Sequence, residues 1–312
     1  MHAICIGNFE GVHRGHAALL AAARRKAGAS GRVTAVAFEP LPVEILRPGT
    51  IAGRLSTVEE KAARLRAAGA DEVLMLETSA SLLGLEPEPF MAEIRSRLSP
   101  SVIVEGPDFR FGRGRTGDVG LLAAIGDRLG FEVDVVPEIC LPLPSGSLVP
   151  ARSSLVRWLL GRGRVLDAAA ILGRPYGLAG TVVPGDRQGR LLGCPTANLD
   201  HGHQLLPADG VYAGWAELPG GERAMAAISV GCKPTFEPTP PRCEVHVIGR
   251  DLPLDHYGWP IRVTFERWVR GQLVFAEVDA LIAQMRRDIE RIVRILRLVE
   301  ATKANSEAPE AA

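Results

Sequence analysis

The sequence predicts a two-part α/β chain: a parallel sheet covered by helices, followed by a small antiparallel β-barrel with a C-terminal helix. Three observations carry this reading. Over residues 3–136, short apolar runs alternate with helical stretches, the pattern of parallel strands joined by crossover helices. The first apolar run feeds a glycine-rich loop that opens directly into a helix. Beyond Gly173 the texture changes to Gly, Pro and regularly spaced β-branched runs, which read as a small barrel. A length of 312 residues agrees with two domains. The boundary is placed at Gly173, giving domains 1–173 and 174–300, with 301–312 a small, polar, disordered tail.

Taken in order, residues 3–6 form the first strand and residues 17–23 a helix ending near Gly28. Residues 32–38 form the second strand, which Glu39-Pro40-Leu41-Pro42 stops. Residues 56–61 open a helix with a capping-box-like start, and Gly69 closes it. Strands at 71–76, 101–106 and 132–136 alternate with helices from 89 and over 121–129. A Pro/Ser/Gly-rich connector covers 142–150. A short helix over 165–172 is stopped by Gly173 and Pro175. Barrel strands are expected at 178–183, 210–216, 225–230, 244–248 and 261–265, before an amphipathic helix over 275–296.

The chemistry concentrates at three loops of the first part. Gly7-Asn8-Phe9-Glu10-Gly11-Val12-His13-Arg14-Gly15-His16 lies between a strand and a helix N-terminus. Unpaired N–H groups and the positive dipole end make such a place favourable for phosphate. Gly11 and Gly15 let the backbone approach it, and His13 and His16 can donate to phosphate oxygens. His-x-Gly-His in this setting is the signature of nucleotidyltransferases. Asp108-Phe109-Arg110-Phe111-Gly112 follows the fourth strand, and its Arg, Gly and aromatics suit a planar, phosphorylated ligand. Ser153-Ser154-Leu155-Val156-Arg157 offers a helix cap, either Ser153 or Ser154, and a guanidinium for polyphosphate. In the second part, Gly193-Cys194-Pro195-Thr196-Ala197-Asn198 supplies the neutral oxygens of Thr196 and Asn198. Those suit magnesium, which takes few protein ligands alongside nucleotide phosphates.

Together these motifs resemble the bacterial bifunctional riboflavin kinase/FAD synthetase family. The resemblance covers residues 3–160 through the three loops, with Phe38-Glu39-Pro40, Arg54-Leu55 and Glu60-Lys61 between them. It continues through the Gly-x-Pro-Thr-Ala-Asn signature, Gly231-Cys232-Lys233-Pro234-Thr235-Phe236, Glu244-Val245-His246 and Tyr257-Gly258. It implies a Rossmann-like nucleotidyltransferase domain that adenylylates FMN to FAD. It also implies a kinase barrel that phosphorylates riboflavin to FMN, both using ATP with Mg2+. By the same resemblance His13, His16 and Arg157 act on the transferring phosphate, and Glu244 is the base toward the ribityl hydroxyl. Gly7, Asn8, Phe9, Gly11, Gly15, Asp108, Phe109, Arg110, Ser153, Ser154, Gly193 and Pro195 bind nucleotide or phosphate. Thr196 and Asn198 hold the metal. Differences from the family pattern include Glu10 for a usual Asp, Leu41, Pro107, Arg152, Cys194 for Phe, Ser229 and His256. Glu10, one methylene longer than Asp, is expected to crowd its tight loop.

Composition removes other classes. Lys+Arg and Asp+Glu are both 36, so bulk charge points to neither nucleic acid nor an anionic membrane. No apolar run reaches spanning length, and no leader pattern precedes the first strand, so a cytoplasmic location is expected. The five cysteines show no metal spacing. No Gly-Lys-Ser/Thr occurs, which excludes a Walker A loop. Nothing in the sequence fixes an oligomeric state. Two alternatives stand beside the bifunctional reading: a riboflavin kinase with a degenerate adenylyltransferase module, and a non-catalytic flavin- or nucleotide-binding sensor. A cytidylyl- or pantetheine-type transferase would rest on His-x-Gly-His alone and leave the second part unexplained.

Overall fold

The computed structural model describes residues 1–49, 53–186, 188–232, 241–250 and 256–307. The chain divides into two compact units, Met1–Ser153 with Ile171–Gly173, and Ser154–Ala170 with Arg174–Ala312.

The first unit holds β1 (His2–Gly7), α1 (Arg14–Ala27), β2 (Arg32–Glu39), α2 (Pro42–Leu46), α3 (Val58–Ala67), β3 (Glu72–Glu77), α4 (Ala80–Leu83), α5 (Pro87–Leu98), β4 (Val102–Glu105), α6 (Val119–Leu129) and β5 (Glu132–Val135). The five strands pair in parallel in the order β3-β2-β1-β4-β5. Central β1 and β4 are near-continuous hydrophobic runs because helices cover both faces. Local signals set the helix ends. Thr57 accepts from Glu60 N–H at 3.2 Å to start α3, and Asp118 accepts from Leu121 N–H at 2.9 Å to start α6. The connector expected over 142–150 is in fact a two-stranded antiparallel ribbon, β6 (Cys140–Pro142) with β7 (Leu148–Pro150). Its turn chemistry, Pro142-Leu143-Pro144-Ser145-Gly146, is legible, but three-residue strands are too short for a periodic signal.

In the second unit α7 (Ser153–Leu160) and α8 (Val165–Leu172) precede β8 (Tyr176–Val183), α9 (Gln188–Leu191), β9 (Ala197–Asp200), β10 (Gly210–Glu217), β11 (Arg223–Gly231), β12 (Arg242–Val247), β13 (Pro260–Arg270) and α10 (Val278–Glu307). Six strands close into an antiparallel barrel in the order β10-β11-β12-β9-β8-β13. Alternation sorts their side chains. Cys243, Val245 and Val247 of β12 fill the interior, while Glu244 and His246 face outward. Helix α10 lies on that outer surface. Its Ile292 and Leu296 are fully buried against Val211, Ala213, Trp215 and Val269, each contributing about 1.5–3 kcal/mol. The helix runs past the end expected at Leu296 and through part of the expected 301–312 tail. In that added turn Lys303 pairs with the buried carboxylate of Glu266 at 3.0 Å.

Two candidate active sites

The first site forms where β1 releases its loop at the C-terminal edge of the parallel sheet, between β2 on one side and β4 on the other. In open α/β sheets this reversal of strand order is where ligands enter. Phe9, Gly11 and Val12 have positive φ (48°, 73° and 43°), so the loop turns through three left-handed residues before α1. Phe9 is buried and closes edge-to-face on His16, with ring centroids 5.1 Å apart.

His13 and His16 form a reciprocal cap. His13 N–H donates to His16 Nδ1 at 3.3 Å, and His16 N–H donates to His13 Nδ1 at 3.4 Å. The rings stack with centroids 3.6 Å apart. Because each Nδ1 accepts a backbone proton, each neutral ring carries its own proton on Nε2. The cap therefore satisfies helix N-terminal donors and presents two Nε2–H donors. Burial, then the charges of His13 and Lys61, holds the His16 imidazolium well below the usual histidine range. Gly15 sits in close quarters: a Cβ there would fall 3.1 Å from the His13 ring and 3.2 Å from the Ala151 carbonyl.

Glu10 does not crowd the loop. Its buried carboxylate turns to Lys61 Nζ at 3.3 Å and accepts from Leu55 N–H at 3.0 Å. Lys61 is itself buried and also faces Glu39 at 4.0 Å. Arg54 continues the row, bridging Glu39 at 2.8 Å and Glu44 at 2.5 Å. The extra methylene of Glu10 is thus taken up in reaching its partners. Glu10→Asp is expected to draw the carboxylate off both and to destabilise the first unit by about 1–3 kcal/mol. A lower urea midpoint for that unit checks this; an unchanged midpoint removes the pairing as the reason for Glu10.

Asp108 and Arg110 are exposed on the loop after β4, and Asp108 faces Arg152 at 3.9 Å. Phe109 stacks on buried Phe111 at 5.4 Å, which leaves Asp108 and Arg110 on the outside of the loop. Helix α7 begins at Ser153, so Ser153 occupies its first turn. Its hydroxyl donates to the Glu10 carbonyl at 2.8 Å and ties the phosphate loop to the segment after β7. Ser154 and Arg157 follow on α7 and group with the second unit.

The second site is a cavity of about 230 Å³ on the outer face of the barrel, with α10 forming one wall. Its chemistry is a row across three strands. Asn198 of β9 pairs with Glu244 of β12, which pairs with Ser229 of β11. All three line the cavity with Thr196 and His246. His246 Nδ1–H donates to the Pro195 carbonyl at 2.9 Å and pins the segment that carries Thr196 and Asn198. Gly193 turns that segment with φ 74°. A Cβ on Gly185 would fall 2.0 Å from Asn198 Nδ2, so a side chain there would shift the Asn198 amide from its place. Sequence reasoning missed Arg270, Asp288 and Gln284. Arg270 donates to Asp288 at 2.9 Å and Gln284 donates to Asp288 at 2.8 Å, fixing α10 to the end of β13 beside the cavity. Their only sequence signal was the i, i+4 spacing of Gln284 and Asp288. Lys233-Pro234-Thr235-Phe236 lies outside the described residues.

Asn198 Oδ1 is buried without a hydrogen-bond partner among the described residues. A buried neutral oxygen left unsatisfied costs about 1–3 kcal/mol. Beside the Thr196 hydroxyl, such an oxygen fits a hard cation that keeps its waters and takes few protein ligands.

The barrel and the alternating sheet each match a family model. Residues 1–143 match FAD synthetase, and residues 172–296 match riboflavin kinase. The bifunctional riboflavin kinase/FMN adenylyltransferase of Escherichia coli K12 is 35% identical over 289 residues, covering 91% of this chain and 90% of its own length. The chain belongs to the bifunctional riboflavin kinase/FMN adenylyltransferase family. Members from Pseudomonas fluorescens (34% identical; 91% of this chain, 89% of that protein) and Haemophilus influenzae (31% identical; 92% of each) extend the match. A crystal structure from Streptococcus pneumoniae described as a macrolide-efflux protein superposes with a TM-score of 0.81 at 28% identity. It covers 93% of this chain and 92% of that one. Among the described residues no helix is long and apolar enough to cross a membrane.

Proposed function

We propose that this family member phosphorylates riboflavin to FMN at the outer face of its barrel and adenylylates FMN to FAD at the edge of its parallel sheet. The observation that carries the kinase half is the row Asn198–Glu244–Ser229, which sets a carboxylate beside an unsatisfied neutral oxygen. Glu244 accepts the ribityl hydroxyl proton as that oxygen attacks the γ-phosphorus of ATP. Asn198 and Thr196 would hold Mg2+, which neutralises charge on the transferring phosphoryl group. Gly193 and Pro195 shape the adjoining backbone, and His246 holds it in place.

In the adenylyltransferase half the FMN phosphate attacks the α-phosphorus of ATP and pyrophosphate leaves. No covalent enzyme intermediate is needed. Catalysis falls to preorganised donors, the Nε2–H groups of His13 and His16; the family resemblance adds the guanidinium of Arg157. Gly7, Asn8, Phe9, Gly11 and Gly15 form the phosphate loop, with Asp108, Phe109, Arg110, Ser153 and Ser154 completing the nucleotide contacts. The cysteines are free thiols, which supports a reducing, cytoplasmic setting.

One incubation with riboflavin, ATP and magnesium, resolved by chromatography, tests the assignment. FMN and FAD together are expected. FMN alone would favour a kinase with a degenerate first module, and neither would favour a sensor.

Activity is also expected to divide with the contacts. The Leu160 carbonyl accepts from Ala208 N–H at 2.8 Å, and Val156, Leu159 and Leu160 are buried. A fragment starting at Ser154 should therefore form FMN, whereas one starting at Arg174 should lose stability by several kcal/mol. Equal melting temperatures for the two fragments would remove residues 154–173 from the kinase unit.

A further inference from the structure

The central pair of strands does not stay paired to its end. β1 and β4 are in register at Ala3–Val102 and Ile4–Ile103, and then they part. At the point of parting Ile6 N–H has no strand partner on that side. A side chain meets it instead: Glu105 Oε1 accepts from Ile6 N–H at 2.6 Å. Glu105 is the last residue of β4 and only 3% exposed. One residue further along each chain lie Gly7, which opens the phosphate loop, and Gly106, which opens the loop of Asp108 and Arg110.

We propose that Glu105 is a positioning residue for adenylyl transfer: its carboxyl replaces the missing ladder bond where β1 and β4 part, and so fixes where the loop carrying His13 and His16 begins. This rests on the adenylyl-transfer reading above. Side-chain acceptors are unusual in the middle of a parallel sheet, where backbone carbonyls serve. Here the side chain lets the two strands separate without leaving a buried donor unmet, and the gap it spans is the crevice that a nucleotide must enter.

Burial, with a smaller contribution from Asp108 of the following loop, raises the Glu105 pKa well above the usual carboxylate range, against the lowering effect of Ile6 N–H.

The test uses the full chain, with kcat and KM of FAD formation from FMN and ATP measured beside riboflavin phosphorylation. Glu105→Gln keeps an acceptor for Ile6 N–H, and its kcat is expected to stay near wild type. Glu105→Val leaves Ile6 N–H unmet and is expected to lower kcat about 10- to 100-fold, with riboflavin phosphorylation unchanged. A Glu105→Gln protein that loses as much kcat as Glu105→Val overturns the proposal. So does a Glu105→Val protein that forms FAD at the wild-type rate. Should the valine variant not fold, Glu105→Asp, one methylene shorter and so drawn off Ile6 N–H, takes its place with the same expected loss. A wild type that forms no FAD overturns the adenylyl-transfer reading itself, and is thereby distinct from a failure of Glu105.

Discussion

Glu244→Gln is expected to lower riboflavin phosphorylation by roughly 10²–10⁴-fold, the range for removing a general base. The amide retains the shape and keeps its place opposite Asn198 and Ser229. It cannot take up a proton as the carboxylate does. FAD formation from supplied FMN should be unchanged, because that chemistry belongs to the other unit. Measuring both reactions on one preparation separates loss of the base from loss of the fold. A kinase rate near wild type would take Glu244 out of the role, whatever its position.

His16→Ala should remove most FAD formation while leaving the kinase untouched. Losing one preorganised donor costs roughly 10²–10³ in rate, or about 3–4 kcal/mol. The alanine also removes half of the reciprocal cap, since His13 N–H loses its acceptor. His16→Gln separates the two effects, because its amide can cap without offering an imidazole Nε2–H. The pH dependence has a definite sign. Folding lowers the His16 pKa below its ordinary value of 6.5. The unfolded chain therefore binds more protons near that pH. The stabilisation is present above 6.5 and is lost as pH falls below it. Over the neutral range the ring stays a neutral donor, so FAD formation should show no acid limb assignable to His16 down to about pH 6.5. A folded His16→Ala protein with wild-type FAD formation would dismiss the loop from catalysis.

The two architectures were legible in the sequence for different reasons. The sheet declared itself through strands buried on both faces, which read as short, mostly apolar runs within residues 3–6, 32–38 and 101–106. The barrel showed through spacing and texture, and β12 through the alternation of Cys243, Val245 and Val247 with Glu244 and His246. Strand β9 escaped notice because Ala197-Asn198-Leu199-Asp200 is short and sits inside the motif that drew attention for its chemistry. The ribbon of β6 and β7 escaped because three residues cannot display a period.

At the sites, residue types were readable but relationships were not. Two histidines three apart suggested phosphate donors, and only the structure shows that each caps the other and thereby fixes the proton on Nε2. Lys61 was visible as part of Glu60-Lys61. Nothing local said that its ammonium reaches the carboxylate of Glu10, 51 residues earlier in the chain. Glu105 gave no signal at all: it reads as an ordinary polar end to a strand, and its role depends on where β1 and β4 cease to pair.

The cross-strand row in the barrel has a consequence for how this kinase can change over time. The separation between the Glu244 carboxylate and the unsatisfied Asn198 oxygen is set by neighbouring strands of a hydrogen-bonded ladder, not by the shape of a loop. Loops around the cavity are thus free to lengthen, shorten and trade residues, altering which flavin or nucleotide is preferred while the reactive spacing stays constant. The strands have no such freedom. A one-residue slip of β12 against β9 turns Glu244 into the apolar interior and brings Val245 outward, so graded loss is not available there. Substrate preference is in this sense adjustable by degrees, whereas the chemistry is inherited whole or not at all.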